Sequence, residues 1–236
     1  MHATRRTLAA FLLAGLLPGG CGLVPTGRRS QPPVFSFAYT PDSGDGYMNQ
    51  LLQITHSGSR SVAPVLKLYA VDSSGVPLPE VTVTGVFGSD RGELVVPAGY
   101  GVVDVMQLTG EHVNRVADVR ASVLRAPVVE YPTITTEPVV TPLDSTGVAV
   151  TRNDVFTRVR VSSDNDAPIT VRLIYITWNV PPEGQTQQAE RTEPVGDLVT
   201  VPAHGQTDVK IAADDVAVIR RTSGTAPTSI KAYFSK

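Results

Sequence analysis

From Val34 to the C-terminus, apolar residues come in short runs of alternating or continuous β-branched side chains, separated by clusters of Gly, Pro, Asn, Asp and Ser. Stretches such as Val65-Leu66-Lys67-Leu68-Tyr69 and Val119-Arg120-Ala121-Ser122-Val123 have the character of strands that bury one face. No 3.6-residue period of useful length interrupts them. The pattern therefore predicts an all-β chain of short strands, arranged as a β-sandwich. Ahead of Val34 the pattern differs: Arg5-Arg6, then the apolar run TLAAFLLAGLL over residues 7–17, then Pro18-Gly19-Gly20 before Cys21. That is the three-part layout of a cleaved secretory signal over residues 1–20, and its apolar run is too short to span a bilayer as a stable helix. Residues 21–33 are polar and proline-rich and read as a short stiff tether.

The strand-like part repeats itself. Thr40-Pro41-Asp42 recurs as Thr141-Pro142-Leu143-Asp144, and Val65-Leu66-Lys67-Leu68-Tyr69 recurs as Val171-Arg172-Leu173-Ile174-Tyr175. Gly92-Glu93-Leu94-Val95-Val96-Pro97-Ala98-Gly99 recurs around residues 196–205, and Val119-Arg120-Ala121-Ser122-Val123 matches Ile230-Lys231-Ala232-Tyr233-Phe234. Matches in one order at an offset of roughly 100–110 residues are the length of one small sandwich, with room for about seven strands. The expected organisation is two tandem immunoglobulin-like β-sandwich domains, 34–125 and 135–236, joined by a linker at 126–134 where Pro127 and Pro132 interrupt pairing. Ser57-Gly58-Ser59 and Asp164-Asn165-Asp166 are the expected turns between the second and third strands of each unit.

Composition narrows the partners. Lys+Arg number 20 against 22 Asp+Glu, a net charge of -2, and removing Arg5 and Arg6 with the signal leaves 18 against 22. Such a balance exerts no long-range pull on nucleic acid or on an anionic membrane surface. Cys21 is the only cysteine, whereas exported proteins ordinarily use cysteines in pairs. Leu17-Pro18-Gly19-Gly20-Cys21 resembles the lipobox of bacterial lipoproteins, with Pro18 where leucine is usual. The resemblance implies that Cys21 is the lipid attachment site and new N-terminus, and that the protein is anchored outside the cytoplasm with membrane lipid as its first partner. Acyl chains contribute roughly 0.8 kcal/mol per buried methylene, so two or three of them hold a protein without a transmembrane helix. Thr4-Arg5-Arg6-Thr7-Leu8 also looks like a twin-arginine export motif, which leaves the export route open.

The repeat unit, with its Leu-x-Leu-Tyr strand, the turn Asp72-Ser73-Ser74-Gly75 and the later Val-Pro-Ala-Gly, resembles the FxLYD-like and fibronectin-like modules of bacterial envelope proteins. The resemblance implies a non-catalytic module that binds, spaces or presents an envelope protein or wall polymer.

Little in the chain suggests other chemistry. G-x-S-x-G, H-E-x-x-H and phosphate-cradling glycine loops are absent, and no residue requires a cofactor. His56, His112 and His204 sit beside expected turns or strand ends, where histidine is ordinarily solvated. His56 and His112 with Met48 and Met106 offer the ligand types of an envelope metal carrier, although both methionines fit core positions better. A composite enzyme site is the other alternative to binding. Asp164-Asn165-Asp166-Ala167-Pro168 looks like a cadherin calcium run, but Asp and Asn favour such turns for backbone reasons. Asp42-Ser43-Gly44-Asp45-Gly46 is a similar turn and lacks the ligand alternation of an EF-hand loop. The candidate binding surface is Arg158 and Arg160, alternating with buried valines, joined by Arg172 on the next strand and by Trp178, the alternative being a solvated face balanced by nearby carboxylates. Tyr175 and Trp178 offer a sugar-stacking pair, although a tryptophan on such a strand is ordinarily core and at least one of the two is expected to be buried. Residues 179–194 are the longest polar stretch and a candidate binding loop.

Overall fold

The structure, a computed structural model, describes residues 33–42, 48–151, 156–223 and 226–236. The signal, Cys21, most of the tether and the turn at 43–46 lie outside the described residues. Described residues belong to one compact unit, Pro32–Lys236.

The chain is an all-β sandwich of antiparallel sheets. Its first half contains β1 (Phe35–Asp42), β2 (Asn49–His56), β3 (Val65–Val71), β4 (Val81–Gly85), β5 (Val102–Gly110) and β6 (Asp118–Arg125). Its second half contains β7 (Val139–Leu143), β8 (Arg158–Ser163), β9 (Ile169–Trp178), β10 (Ala189–Val201), β11 (Gly205–Lys210), helix α1 (Ala213–Ser223) and β12 (Thr228–Phe234). Strand order is β1-β2-β5-β4 facing β3-β6, and β7-β8-β11 facing β10-β9-β12. The repeated peptides occupy equivalent places: β1 and β7 end on the Thr-Pro pairs, β3 and β9 carry the Leu/Ile-Tyr strands, and these pair with β6 and β12. The register differs by one residue, since Leu68 faces Ala121 whereas Leu173, not Ile174, faces Ala232. Among the described residues there are six strands per half rather than about seven. The fourth strand also changes sides, β4 pairing with β5 while β10 pairs with β9. Both expected turns link the second and third strands, which lie in opposite sheets rather than in one hairpin.

The two halves share one core. Tyr233 and Phe234 point to opposite faces of β12, yet both are buried. Tyr233 stacks on Phe87 with ring centroids 4.9 Å apart, and Phe234 meets the edges of Tyr100 and Tyr131. Covering both faces of β9 and β12 explains why Leu173, Ile174, Tyr175 and Ile176 are a continuous apolar run rather than an alternating one. Backbone bonds continue across the boundary: Val95 N–H donates to Phe234 O at 2.9 Å, and Leu94 bridges Ser235. The linker is tied to both sides, with Ala63 N–H donating to Pro127 O, Val129 N–H donating to Ser61 O, and Ile134 buried.

Helix α1 is an element that the strand pattern did not predict. Asp214 and Asp215 in its first turn and Arg220 and Arg221 in its last complement the helix dipole. Ile219 is buried and Val216 half-buried, so only a narrow stripe anchors it.

Candidate functional site

The four residues expected to form a binding surface are not brought together. Trp178 is 1% exposed and its Nε1–H donates to Ser229 Oγ at 2.7 Å; Tyr175 is equally buried. Both are core, and neither can stack on a sugar: three residues apart on β9 they point to opposite faces, and Tyr175 stacks on Phe156 with ring centroids 5.9 Å apart. Arg172 lies on β9, in the sheet opposite β8, and donates to Gly196 O at 2.7 Å. Arg160 does alternate with the buried Val159 and Val161, but it grips Asp208 with two bonds of 2.7 and 2.9 Å. That hydrogen-bonded pairing lowers the Asp208 carboxyl and raises the Arg160 guanidinium. Of the four, Arg158 alone remains available.

The histidines are accounted for without metal. His56 is buried rather than solvated: its Nδ1 accepts from Gly58 N–H at 3.0 Å and its Nε2 faces Val96 O at 3.2 Å. An accepting Nδ1 fixes the neutral tautomer protonated on Nε2 and leaves no lone pair for a ligand. Met106 is fully buried in β5, as expected of a core residue. His112 is exposed and His204 reaches Asp166 at 3.1 Å. The calcium-like turn is a staple: Asn165 Oδ1 accepts from the N–H groups of Thr135 and Thr136 at 2.8 and 3.2 Å, and Nδ2 donates to Thr136 O and Ser163 Oγ. The loop ahead of β10 likewise docks on the first half, with Gln50 Nε2 donating to Gln187 O at 3.0 Å.

What the structure does assemble around Arg158 is a groove of about 800 Å³ between α1 and the β8–β11 edge. In the antiparallel register Arg160 faces Asp208, and two residues on, Arg158 faces Lys210. Like charges directly opposite each other on one sheet face are destabilising. Arg220, from the last turn of α1, brings a third cation to the same rim. None of the three has a carboxylate partner among the described residues; Asp208, whose carboxyl also feels Arg158, is already bound to Arg160. The floor is apolar, formed by Ile211, Val216 and Ala217, and Thr157 Oγ1 is buried beside it without a hydrogen-bond partner. Three cations without a carboxylate partner among the described residues, beside an apolar lining, are chemically suited to an anionic group with a short apolar stem. Lys210 and Arg220 were not singled out in the sequence. The register that opposes Lys210 to Arg158 is not local information, while the Asp-Asp to Arg-Arg polarity of residues 214–221 is a helix signal present in the sequence.

One other polar cluster is fully enclosed. Asp104 on β5 is completely buried, its Oδ1 accepting from Val105 N–H at 2.9 Å and Phe87 N–H at 3.3 Å. Its Oδ2, Ser89 Oγ and the Tyr233 hydroxyl converge close enough to affect one another's ionisation, yet none has a hydrogen-bond partner of ordinary geometry. Gly85 is required there, because a Cβ would collide with Asp104 Oδ2 and lie 2.7 Å from Ser89 Oγ. Comparison with known proteins finds no matching family model, no matching curated protein and no matching solved structure.

Proposed function

We propose that this protein is a membrane-anchored extracytoplasmic lipoprotein that works as a non-catalytic binding or scaffolding module of the cell envelope, with the α1 groove as its binding surface. The observation that carries the binding role is the Arg158–Lys210 pair, two facing cations joined by Arg220 and left without counter-charge above an apolar floor. In a chain with more acids than bases, such a cluster is costly to keep unless an anion completes it. An acidic wall polymer or a lipid headgroup supplies that chemistry. The anchoring part of the reading rests on the signal layout and on Cys21 as the only cysteine.

Two measurements test it. Native protein is expected in the membrane fraction with an acylated N-terminal Cys21, whereas a Cys21→Ala variant is expected to leave that fraction or remain uncleaved, by intact mass. In calorimetry with dodecyl phosphate below its micellar concentration, Lys210→Glu is expected to weaken binding at least about tenfold, or roughly 1.4 kcal/mol. The same substitution replaces a like-charge pair by an opposite one, so the melting temperature is expected to stay or rise. Unchanged binding, or a loss of binding that merely follows a loss of stability, sinks the groove as a site.

A further inference from the structure

The second sheet of the first half has only β3 and β6, so the outer edge of β6 has no strand neighbour. A third strand there would cover the inward face of β1. Instead β1 and β6 approach each other directly at one end, where Tyr39 lies close enough to Asp118 for that carboxylate to raise its phenol further above the level set by burial. Toward the other end lies a wedge of about 450 Å³ lined by Pro33, Phe35, Phe37, Ala121, Val123 and Leu124. The Phe35 and Phe37 rings stack 6.0 Å apart inside it. Its rim is apolar as well: Leu124 is 64% and Val123 37% exposed. A contiguous apolar surface of this kind marks a contact with something outside the domain.

We infer that this wedge and its rim are the face that the protein lays on the lipid surface beside its anchor, an inference that rests on the reading of Cys21 as acylated. The location of the wedge argues for lipid. Pro33, the first described residue, is part of its lining, and it lies only 12 positions after Cys21. That tether reaches at most about 40 Å fully extended. Acylation at Cys21 therefore holds the wedge near the bilayer at high effective concentration. Leu124 and Val123 carry exposed apolar side chains of the size that partition into the headgroup boundary, and Arg125 at the wedge offers charge to anionic headgroups.

The test uses the full native chain, purified from membranes and reconstituted in phosphatidylglycerol–phosphatidylethanolamine vesicles containing lipids brominated near the headgroup. Trp178, the only tryptophan, is buried and hydrogen-bonded and gives a constant background. Leu124→Trp is compared with Val148→Trp, another exposed apolar position, in the second half. Quenching of the Leu124→Trp signal at least threefold stronger than that of Val148→Trp is the expected result. If intact mass shows an acylated Cys21 and the protein floats with the vesicles but the two variants are quenched alike or not at all, the wedge proposal alone fails. If Cys21 carries no acyl chain, the anchor reading fails and the wedge proposal falls with it. If the protein sediments as a dimer that Leu124→Asp dissociates, the face is an interface between copies, and the lipid assignment is overturned.

Discussion

Asp104→Asn is expected to stabilise the protein at pH 7 and to leave its stability nearly unchanged at pH 4. Burial pushes the Asp104 carboxyl from 3.8 up to about 6, opposed in part by the nearby Ser89 and by the N–H groups of Phe87 and Val105. Because its folded value is raised, protons bind the native state more tightly than the unfolded chain between these limits. The stabilising contribution is complete below pH 3.8 and is lost as pH rises through 6. The difference corresponds to about 3 kcal/mol at neutral pH, taken as an upper bound. Asparagine keeps an oxygen for Val105 N–H and Phe87 N–H and carries no charge; its amide also supplies a donor toward Ser89 Oγ and the Tyr233 hydroxyl. Tyr233, with its own ionisation pushed well upward by burial and by Asp104, stays protonated throughout. Urea unfolding from pH 4 to 8 is the measurement, with a gain of roughly 2 kcal/mol or more in the variant at pH 7. A pH-independent gap between the two proteins would mean that the Asp104 carboxyl binds protons equally well in the folded and unfolded chain, so that burial does not raise it. Asp104→Ala is expected to lose stability at every pH, since it removes the acceptor that positions Phe87 against Tyr233.

The second large effect is expected at Asn165. This side chain is fully buried and ties the linker residues Thr135 and Thr136 to the β8–β9 turn through both its carbonyl and its amide. Asn165→Ala leaves two linker N–H groups without their acceptor, at about 1–3 kcal/mol for each that stays dry. A net loss of roughly 2–4 kcal/mol follows, and at about 2–4 °C per kcal/mol for a chain of this size the melting temperature drops by roughly 5–15 °C. Asn165→Asp is not expected to rescue it, because the second carboxylate oxygen would face Thr136 O in place of a donor. If the turn were instead a calcium site, added calcium would raise the melting temperature of the native protein, and Asn165→Asp would preserve that response.

The same residue illustrates how the sequence was legible and where it stopped. Asp164-Asn165-Asp166 reads correctly as a turn between two strands, because the preference of Asn and Asp for turns is a local backbone property. Whether Asn165 serves a cation or the linker depends on residues 29 and 30 positions away. Trp178 carries a similar lesson. Its place on an apolar strand was visible, and its burial follows from the covering of β9 on both faces, a fact of packing rather than of periodicity. Arg158, Arg160 and Arg172 were equally plausible surface cations until strand pairing gave Arg160 an aspartate, Arg172 a carbonyl in the opposite sheet, and Arg158 a lysine.

By itself the sequence determined the all-β class and the internal echo between its two halves, because a two-residue period and Gly/Pro/Asn/Asp turns are written residue by residue. It also determined that Cys21 is the only thiol and that it follows an export-like signal. Only the tertiary structure decided that the two halves bury one common core, that β4 and β10 choose different neighbours, and that Lys210 and Arg220 meet Arg158 in one groove. Those outcomes depend on register and on contacts between distant residues. A shift of one residue reverses the face of every side chain in a strand, so local pattern leaves them undetermined.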